Sequence, residues 1–253
     1  MQPRRHIPAA MHHLSLLTRR STARTLAVHD AVAAALSVAL QPVPARPLLF
    51  DAVIANLSAG APVQNADMAL RGYKHLRTAL VGGAPGNALL QSHWREALAC
   101  GYFAAQLAWH LGFDLRTAAA AGLLHRCGEA AALAALALVE EQHALRLDAP
   151  SRAGLCAEQG EELATRLLHA WSIPPSVTAA ALGWRHSVSE PGPMNLSKLV
   201  YLAHLLALAC LEPEFAPPGL EDAAANELGV DAQVLGKVMQ SDAALRALLS
   251  RAG

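Results

Sequence analysis

Aromatic residues make up only 4% of this 253-residue chain, and valine, isoleucine and threonine are also few. Alanine and leucine instead dominate the 53% of residues that are hydrophobic. Because alanine and leucine favour helices, whereas β-branched and aromatic residues are enriched in strands, this composition predicts helices rather than sheets. The alternation of apolar and polar residues that is typical of strands is also missing, so we expect an all-α protein built as a multi-helix bundle.

The chain carries no excess of either charge, since 20 Lys and Arg residues balance 20 Asp and Glu residues. A neutral surface lacks the positive field that holds phosphate backbones, which disfavours direct binding to nucleic acid. Basic residues do cluster near the N-terminus. That cluster is either a solvated arm or a binding arm, and it consists of Arg4, Arg5, Arg19, Arg20 and Arg24.

The sequence contains no Cys-x-x-Cys pair, and we expect no signal peptide because no apolar core follows the charges near the N-terminus. The four cysteines are far apart in apolar surroundings, which indicates free thiols in a reducing cytoplasm. The best candidate for a membrane span is the uncharged run at residues 97–113, which falls just short of the length needed. We interpret it as a buried helix and expect a cytoplasmic protein without a membrane partner. The cysteines are Cys100, Cys127, Cys156 and Cys210.

Prolines divide the chain near its start, because residues 41–47 contain three of them. We therefore divide it into an N-terminal basic and helical segment, residues 1–45, and a helical domain, residues 46–253. The motif-bearing core of the domain covers about residues 87–212, and short helices follow over 218–251. The Ala-rich N-terminal segment either packs on the domain or mediates self-association, for instance as a homodimer.

Periodicity and capping residues predict the individual helices. Asp114 and Ser151 are expected as N-caps, and either Asn195 or Ser197 caps a later helix. The helix at residues 87–111 is apolar on two sides, which is typical of a central helix, and Glu96 projects toward the second side. The first stripe consists of Trp94, Leu98, Tyr102, Ala105 and Trp109, and the second of Cys100, Phe103 and Leu107.

Several catalytic motifs are absent, including Gly-x-Ser-x-Gly, the phosphate-binding loop, the dinucleotide-binding glycines and His-Glu-x-x-His. What remains is a set of polar residues in apolar stretches of separate helices. Taken singly, each is more often a hydrogen-bonded core residue than a ligand. Together they could converge as a metal or anion site. The set consists of Glu96, His125, Arg126, His186 and His204.

Four stretches carry a family resemblance. The sequence GLLHRCG at residues 122–128 resembles the Gly-Leu-Leu-His-Asp-Ile-Gly motif of the HD superfamily. The helix with Trp94, the stretch LLHAWSIP at 167–174 and the stretch ALGWRH at 181–186 resemble further signatures in the order found in the HDOD family. HDOD domains are HD-related output domains of bacterial signalling proteins. The resemblance covers roughly residues 47–212 and implies an HD-like helical bundle.

The departures from the metal-dependent HD pattern matter more than the matches. The resemblance implies that Arg126 replaces the metal-binding aspartate, and that a histidine expected near Gly160 is missing. A change from a negative to a positive charge disfavours a divalent cation by about 4 kcal/mol per unit charge pair at ~4 Å. We therefore expect no metal, no cofactor and no catalytic residue. The other replacements are Glu96 for the first histidine, Arg185-His186 for the paired histidines and His204 for the late aspartate.

An acid and a base at two converging positions also predict a buried ion pair between Glu96 and Arg126, with hydrogen bonds from His125 or His204. The alternative is that these side chains point into separate solvent channels.

The expected function is that of a non-catalytic regulatory module that binds a signalling protein or a small ligand. One alternative is a nucleotide or cyclic-dinucleotide receptor in which Arg126 and Arg185 bind phosphate. Another is a divergent phosphohydrolase with a metal held by Glu96, His125, His186 and His204, the histidines and carboxylate of the same polar set.

Overall fold

The computed structural model describes residues 46–47, 49–59, 66–81, 88–142, 144, 146–187, 192–212 and 228–252. This part of the chain consists of helices joined by turns and contains no strand, which confirms the all-α prediction. The expectations for residues 1–45 lie outside the described residues. The helices are α1 (Phe50–Ser58), α2 (Ala66–Val81), α3 (Ala88–Leu111), α4 (Leu115–Leu124), α5 (Cys127–Gln142), α6 (Ala149–Ala170), α7 (Pro175–Gly183), α8 (Leu196–Leu211), α9 (Ala232–Met239) and α10 (Asp242–Ala252).

Helix α3 is the central helix, as its two apolar sides predict. It packs along its length against α4 and α8, and it also contacts α1, α5, α9 and α10. Leu98 and Phe103, one from each stripe, are completely buried. The prediction is wrong for Trp109, which is 70% exposed. His110 is exposed too, so the last turn of α3 extends beyond the helices that cover its middle.

Two glycines of the 122–128 stretch allow backbones to touch. A Cβ atom added to Gly122 would lie 2.7 Å from the carbonyl oxygen of Cys100 on α3. A Cβ atom added to Gly128 would overlap the carbonyl oxygen of Gly160 on α6. Any larger side chain would push these helices apart. The turn between α4 and α5 is therefore held close to α3 on one side and to α6 on the other.

Side chains cap four helices among the described residues, including α9, where the Asp231 carboxylate accepts from Gln233 N at 2.6 Å. The Asp114 carboxylate accepts from Thr117 N at 2.7 Å and begins α4, and Asn195 caps α8, both as predicted. Ser151 is not the cap of α6, contrary to the prediction. Asp148 accepts from Ser151 N at 2.8 Å, and α6 already begins at Ala149. The helix starts early because Pro150 is favourable in a first turn, where its missing N–H would have no partner anyway.

The described residues contain one stretch that is long and apolar enough to cross a membrane, residues 115–142. Its most apolar part is 67% buried inside the fold, and His125 and Arg126 interrupt it between α4 and α5. Residues 97–113 belong to the central helix and its end, which agrees with their interpretation as a buried segment. All four cysteines are free; Cys210 is half-buried and the other three are buried.

Candidate functional site

His125 and Arg126 form the turn between α4 and α5, and the surrounding backbone fixes the His125 ring. Its Nδ1 lies 2.6 Å from the carbonyl oxygen of Gly122. A carbonyl only accepts hydrogen bonds, so Nδ1 carries the proton of the neutral ring. Burial lowers the pKa of His125 well below its ordinary value, with a further contribution from the charge of His204. The ring is therefore neutral, and its Nε2 atom presents an unprotonated lone pair to the interior.

Arg126 binds two carboxylates from two helices. Its Nη1 donates to both oxygens of Glu96 on α3, at 2.8 and 2.6 Å. Its Nε and Nη2 donate to one oxygen of Glu129 in the first turn of α5, at 2.9 and 2.7 Å. The predicted ion pair between Glu96 and Arg126 is thus confirmed, and the alternative of separate solvent channels is wrong.

The ion pair keeps both partners charged despite their burial. Burial alone would raise the pKa of Glu96, but the hydrogen bond from His204 and the charge of Arg126 outweigh it and hold this pKa well below its ordinary value. Burial alone would lower the pKa of Arg126, but Glu96 and Glu129 outweigh it and raise this pKa. Charges in a low-dielectric interior survive only with such partners.

His204 on α8 completes the arrangement. Its Nδ1 lies 2.9 Å from Glu96 Oε1 and 3.2 Å from His125 Nε2. Its side chain is only 12% exposed. Glu96, His125 and His204 each offer one metal-binding atom, and all three atoms lie within 4.8 Å of one another. These three residues, which we call the donor triad, are the described side chains best placed to hold a metal ion.

Arg185 follows α7 and extends the network toward the surface. It bonds to the free oxygen of Glu129, and its guanidinium lies 5.0 Å from the ring centre of Trp184. Its side chain is 46% exposed. We call Glu96, Arg126, Glu129 and Arg185 the ion-pair network. Two positive and two negative charges balance within it, so neither arginine is left without a carboxylate.

With Arg185 added to the polar set, the sequence singled out six residues, and the structure brings five of them together. The sixth, His186, is exposed, and its backbone N–H bonds to Gly183 instead. Three contributors were not predicted, Glu129, Trp184 and His93. Glu129 could have been found, because it lies three residues after Arg126 on the helix surface. Trp184 Nε1 donates to the His125 carbonyl at 3.0 Å, a contact across 59 residues that local sequence does not reveal.

Trp184 also forms the apolar wall of the site. Its ring centre lies 4.5 Å from that of His204 and 5.0 Å from that of His125. His93, one turn before Glu96 on α3, closes another side, with Nδ1 4.0 Å from Glu96 Oε2. Burial and the charge of Arg126 lower the pKa of His93, so it adds no positive charge near neutral pH.

A comparison with protein families finds a match for the central part of the chain. Residues 74–187, a little under half of the sequence, match the family model of the HDOD domain. The match includes α3 through α7 and contains every member of the site except His204. It is narrower than the span of about 47–212 that the sequence resemblance suggested. No curated protein and no solved structure matches the chain.

Proposed function

We propose that this chain, of which residues 74–187 match the family model of the HDOD domain, is a non-catalytic signalling module of the bacterial cytoplasm. It regulates by binding a partner protein or a small ligand. A family relationship alone does not define an activity, so the proposal depends on the chemistry of the site.

The observation that carries the proposal is the position of Arg126. The resemblance places a metal-binding aspartate there, whereas the arginine binds two carboxylates instead. Its guanidinium donates four hydrogen bonds to carboxylate oxygens that would otherwise be free to bind metal or substrate. Metal-dependent hydrolysis needs an activated water on an ion held by several acidic or imidazole ligands, and Arg126 takes up much of that capacity.

The lack of activity can be tested directly. The purified full chain is incubated with phosphomonoesters, phosphodiesters and cyclic dinucleotides in the presence of Mn²⁺, Fe²⁺ or Zn²⁺. We expect no turnover above a protein-free blank, while a known phosphodiesterase in the same assay hydrolyses its substrate. Turnover that disappears in the Glu96→Gln variant would contradict the proposal and support the alternative of a divergent phosphohydrolase.

Partner binding requires an accessible surface, and Trp109 offers one contact point. It is the most exposed large hydrophobic residue among the described ones. Exposed tryptophans are strongly enriched among residues that dominate binding energy. We expect Trp109→Ala to fold normally and to lose a protein that the wild-type chain captures from its host. Leu138→Ala, at a residue 52% exposed on α5, is the matched control.

The geometry of the site disfavours the alternative of a nucleotide receptor, because both arginines that would bind phosphate already bind carboxylates. Arg126 would have to leave Glu96 and Glu129 before it could bind phosphate, and Arg185 is also bonded to Glu129. Both exchanges replace satisfied charge pairs with new ones, so little free energy remains for binding. A rise in melting temperature with increasing nucleotide or cyclic dinucleotide would overturn this ranking.

A further inference from the structure

Helix α2 carries a basic face on its exposed side. Four basic residues lie between positions 71 and 77, and three of them, Arg71, Lys74 and His75, are exposed. The fourth, Arg77, is half-buried. Among the residues that the structure describes, no acidic side chain forms an ion pair with any of the four, which we call the basic face. The opposite side of α2 is buried in the core, so the basic face lies at the surface.

The concentration of like charges on α2 is unfavourable for the helix by itself. Lys74 follows Arg71 by three residues and precedes Arg77 by three, and residues at this spacing are neighbours on a helix surface. Like charges that are neighbours in this way destabilise the helix. The chain has equal numbers of acidic and basic residues, so the basic face does not follow from a basic composition. A negatively charged partner would remove the repulsion.

Helix α6 carries the opposite arrangement. Glu158, Glu161 and Glu162 are all exposed, and we call them the acidic face. They lie on a different side of the helix from Gly160 and Ala164, which contact Gly128 of α5. None of the three glutamates forms an ion pair with a described residue. The acidic face therefore has three carboxylates at the surface without a cation beside them.

The two faces match each other in sign and in spacing. The three exposed residues of the basic face occupy positions i, i+3 and i+4 of their helix, and the three glutamates of the acidic face occupy the same positions. Each triplet extends about 6 Å along its helix axis, at ~1.5 Å per residue, so the opposite charges can meet when one helix lies along the other. Although α5 packs against both helices, no ion pair among the described residues joins the two faces within one copy. The contact therefore requires another molecule.

We propose that this chain self-associates, with the basic face on α2 of one copy bound to the acidic face on α6 of a second copy. A second copy offers a partner surface of the required sign and spacing at the same concentration. The contact joins unlike faces, so one basic and one acidic face stay free in each pair and association can continue from copy to copy. Because it depends on exposed charges, the contact is weak and sensitive to salt. The proposal does not rest on the proposed function, whose partner contact at Trp109 lies on α3.

The test measures the average mass of the full chain by sedimentation equilibrium over a range of protein and salt concentrations. We expect the mass to rise above that of the monomer as the protein concentration increases at low salt. The association constant should fall at least about tenfold between about 0.01 M and about 1 M salt, because the screening length shortens from about 30 Å to about 3 Å over that range.

Charge reversal tests each face separately. Arg71→Glu combined with Lys74→Glu reverses the basic face, and Glu158→Lys combined with Glu161→Lys reverses the acidic face. Each double variant should stay monomeric on its own, because like charges then meet at the contact. An equimolar mixture of the two should associate again, since the two reversed faces are complementary and the two unchanged faces still match.

The matched control is Arg95→Glu combined with Arg116→Glu, at two exposed arginines outside both faces. It changes the net charge as much as the reversal of the basic face does, so it should still associate. Circular dichroism and melting temperature confirm that all variants are folded.

Three results would overturn the proposal. One is a wild-type chain that stays monomeric at every protein concentration in low salt. Another is association that persists unchanged in both face variants, or that is lost equally in the control. The third is a monomer that binds a short DNA duplex through Arg71 and Lys74, which would assign the basic face to nucleic acid instead.

Discussion

Two buried carboxylates in this molecule are each paired with an arginine, yet their surroundings differ. Glu96 lies at the centre, where Arg126 and Glu129 arrive from the start of α5 and His204 arrives from α8. Glu140 lies at the end of α5, where it accepts from Arg152 Nη2 at 2.9 Å and from Leu147 N at 2.8 Å. The second pair therefore closes one local connection between α5 and α6.

The two pairs differ in the groups that surround them. The Glu140 pair contains one carboxylate, one arginine and a backbone N–H within twelve residues of each other. The central network adds two imidazoles, of which His204 bonds to Glu96 and His125 bonds to His204. Only the central region has both the charge balance of a structural pair and the ligand atoms of a site.

Replacing the arginine of each pair should give the largest difference in stability between the two regions. Arg126→Met leaves both Glu96 and Glu129 without their main partner, and we expect a loss of about 3–5 kcal/mol in the free energy of unfolding. Arg152→Met removes the partner of Glu140 alone, which keeps the Leu147 N–H, so we expect about 1.5–3 kcal/mol. Urea unfolding of both variants beside the wild type measures the difference. Equal losses would mean that burial alone sets the cost.

The close contact of α5 and α6 positions Glu129. Two glycine-to-alanine substitutions test whether that contact is required. A methyl group at Gly128 would overlap the backbone of Gly160, so Gly128→Ala should cost about 1–3 kcal/mol. Gly154→Ala, on the same pair of helices, meets nothing within 4 Å and should stabilise α6 by about 0.5–1 kcal/mol. Thermal unfolding gives both values. A tolerated alanine at Gly128 would show that the helices need not touch there.

The histidines should make the central region sensitive to acid. The pKa of His125 is held well below its ordinary value, mainly by burial, so below about pH 6.5 the unfolded chain takes up a proton that the folded chain does not. Stability is then lost as the pH falls, and the lowered pKa of Glu96 extends the loss below about pH 4.5.

Unfolding of the wild type, His125→Asn and Arg152→Met between about pH 8 and about pH 5 checks this expectation. His125→Asn should flatten the dependence, although the lowered pKa of His93 keeps part of it. Arg152→Met should keep the part of the dependence that His125 causes, because the contacts of Glu140 include no histidine among the described residues. A dependence that is the same in all three proteins would assign the acid sensitivity elsewhere.

Sequence predicted the helices and most of the site for a physical reason. Helical periods and caps are local, and the pairing of Glu96 with Arg126 follows because an unpaired buried charge is unfavourable in any fold. The sequence could not predict which residues of distant helices lie close together in space. The contact of Trp184 with His125, the exposure of Trp109 and the separation of His186 from the site all depend on how helices distant in sequence pack.

Arg185 should contribute least, and its effect tests whether the network weakens toward the surface. Its side chain is 46% exposed, so water screens its pair with Glu129 and competes for its donors. Arg185→Ala removes this pair and the contact of the guanidinium with Trp184. We expect both losses together to lower the free energy of unfolding by no more than about 1 kcal/mol, measured with urea. Arg126 and Arg185 bind the same carboxylate, so a large loss would mean that Glu129 needs both arginines as partners. The four residues of the ion-pair network would then stabilise the fold together, rather than as a buried pair of Glu96 and Arg126 with a weak, exposed contribution from Arg185.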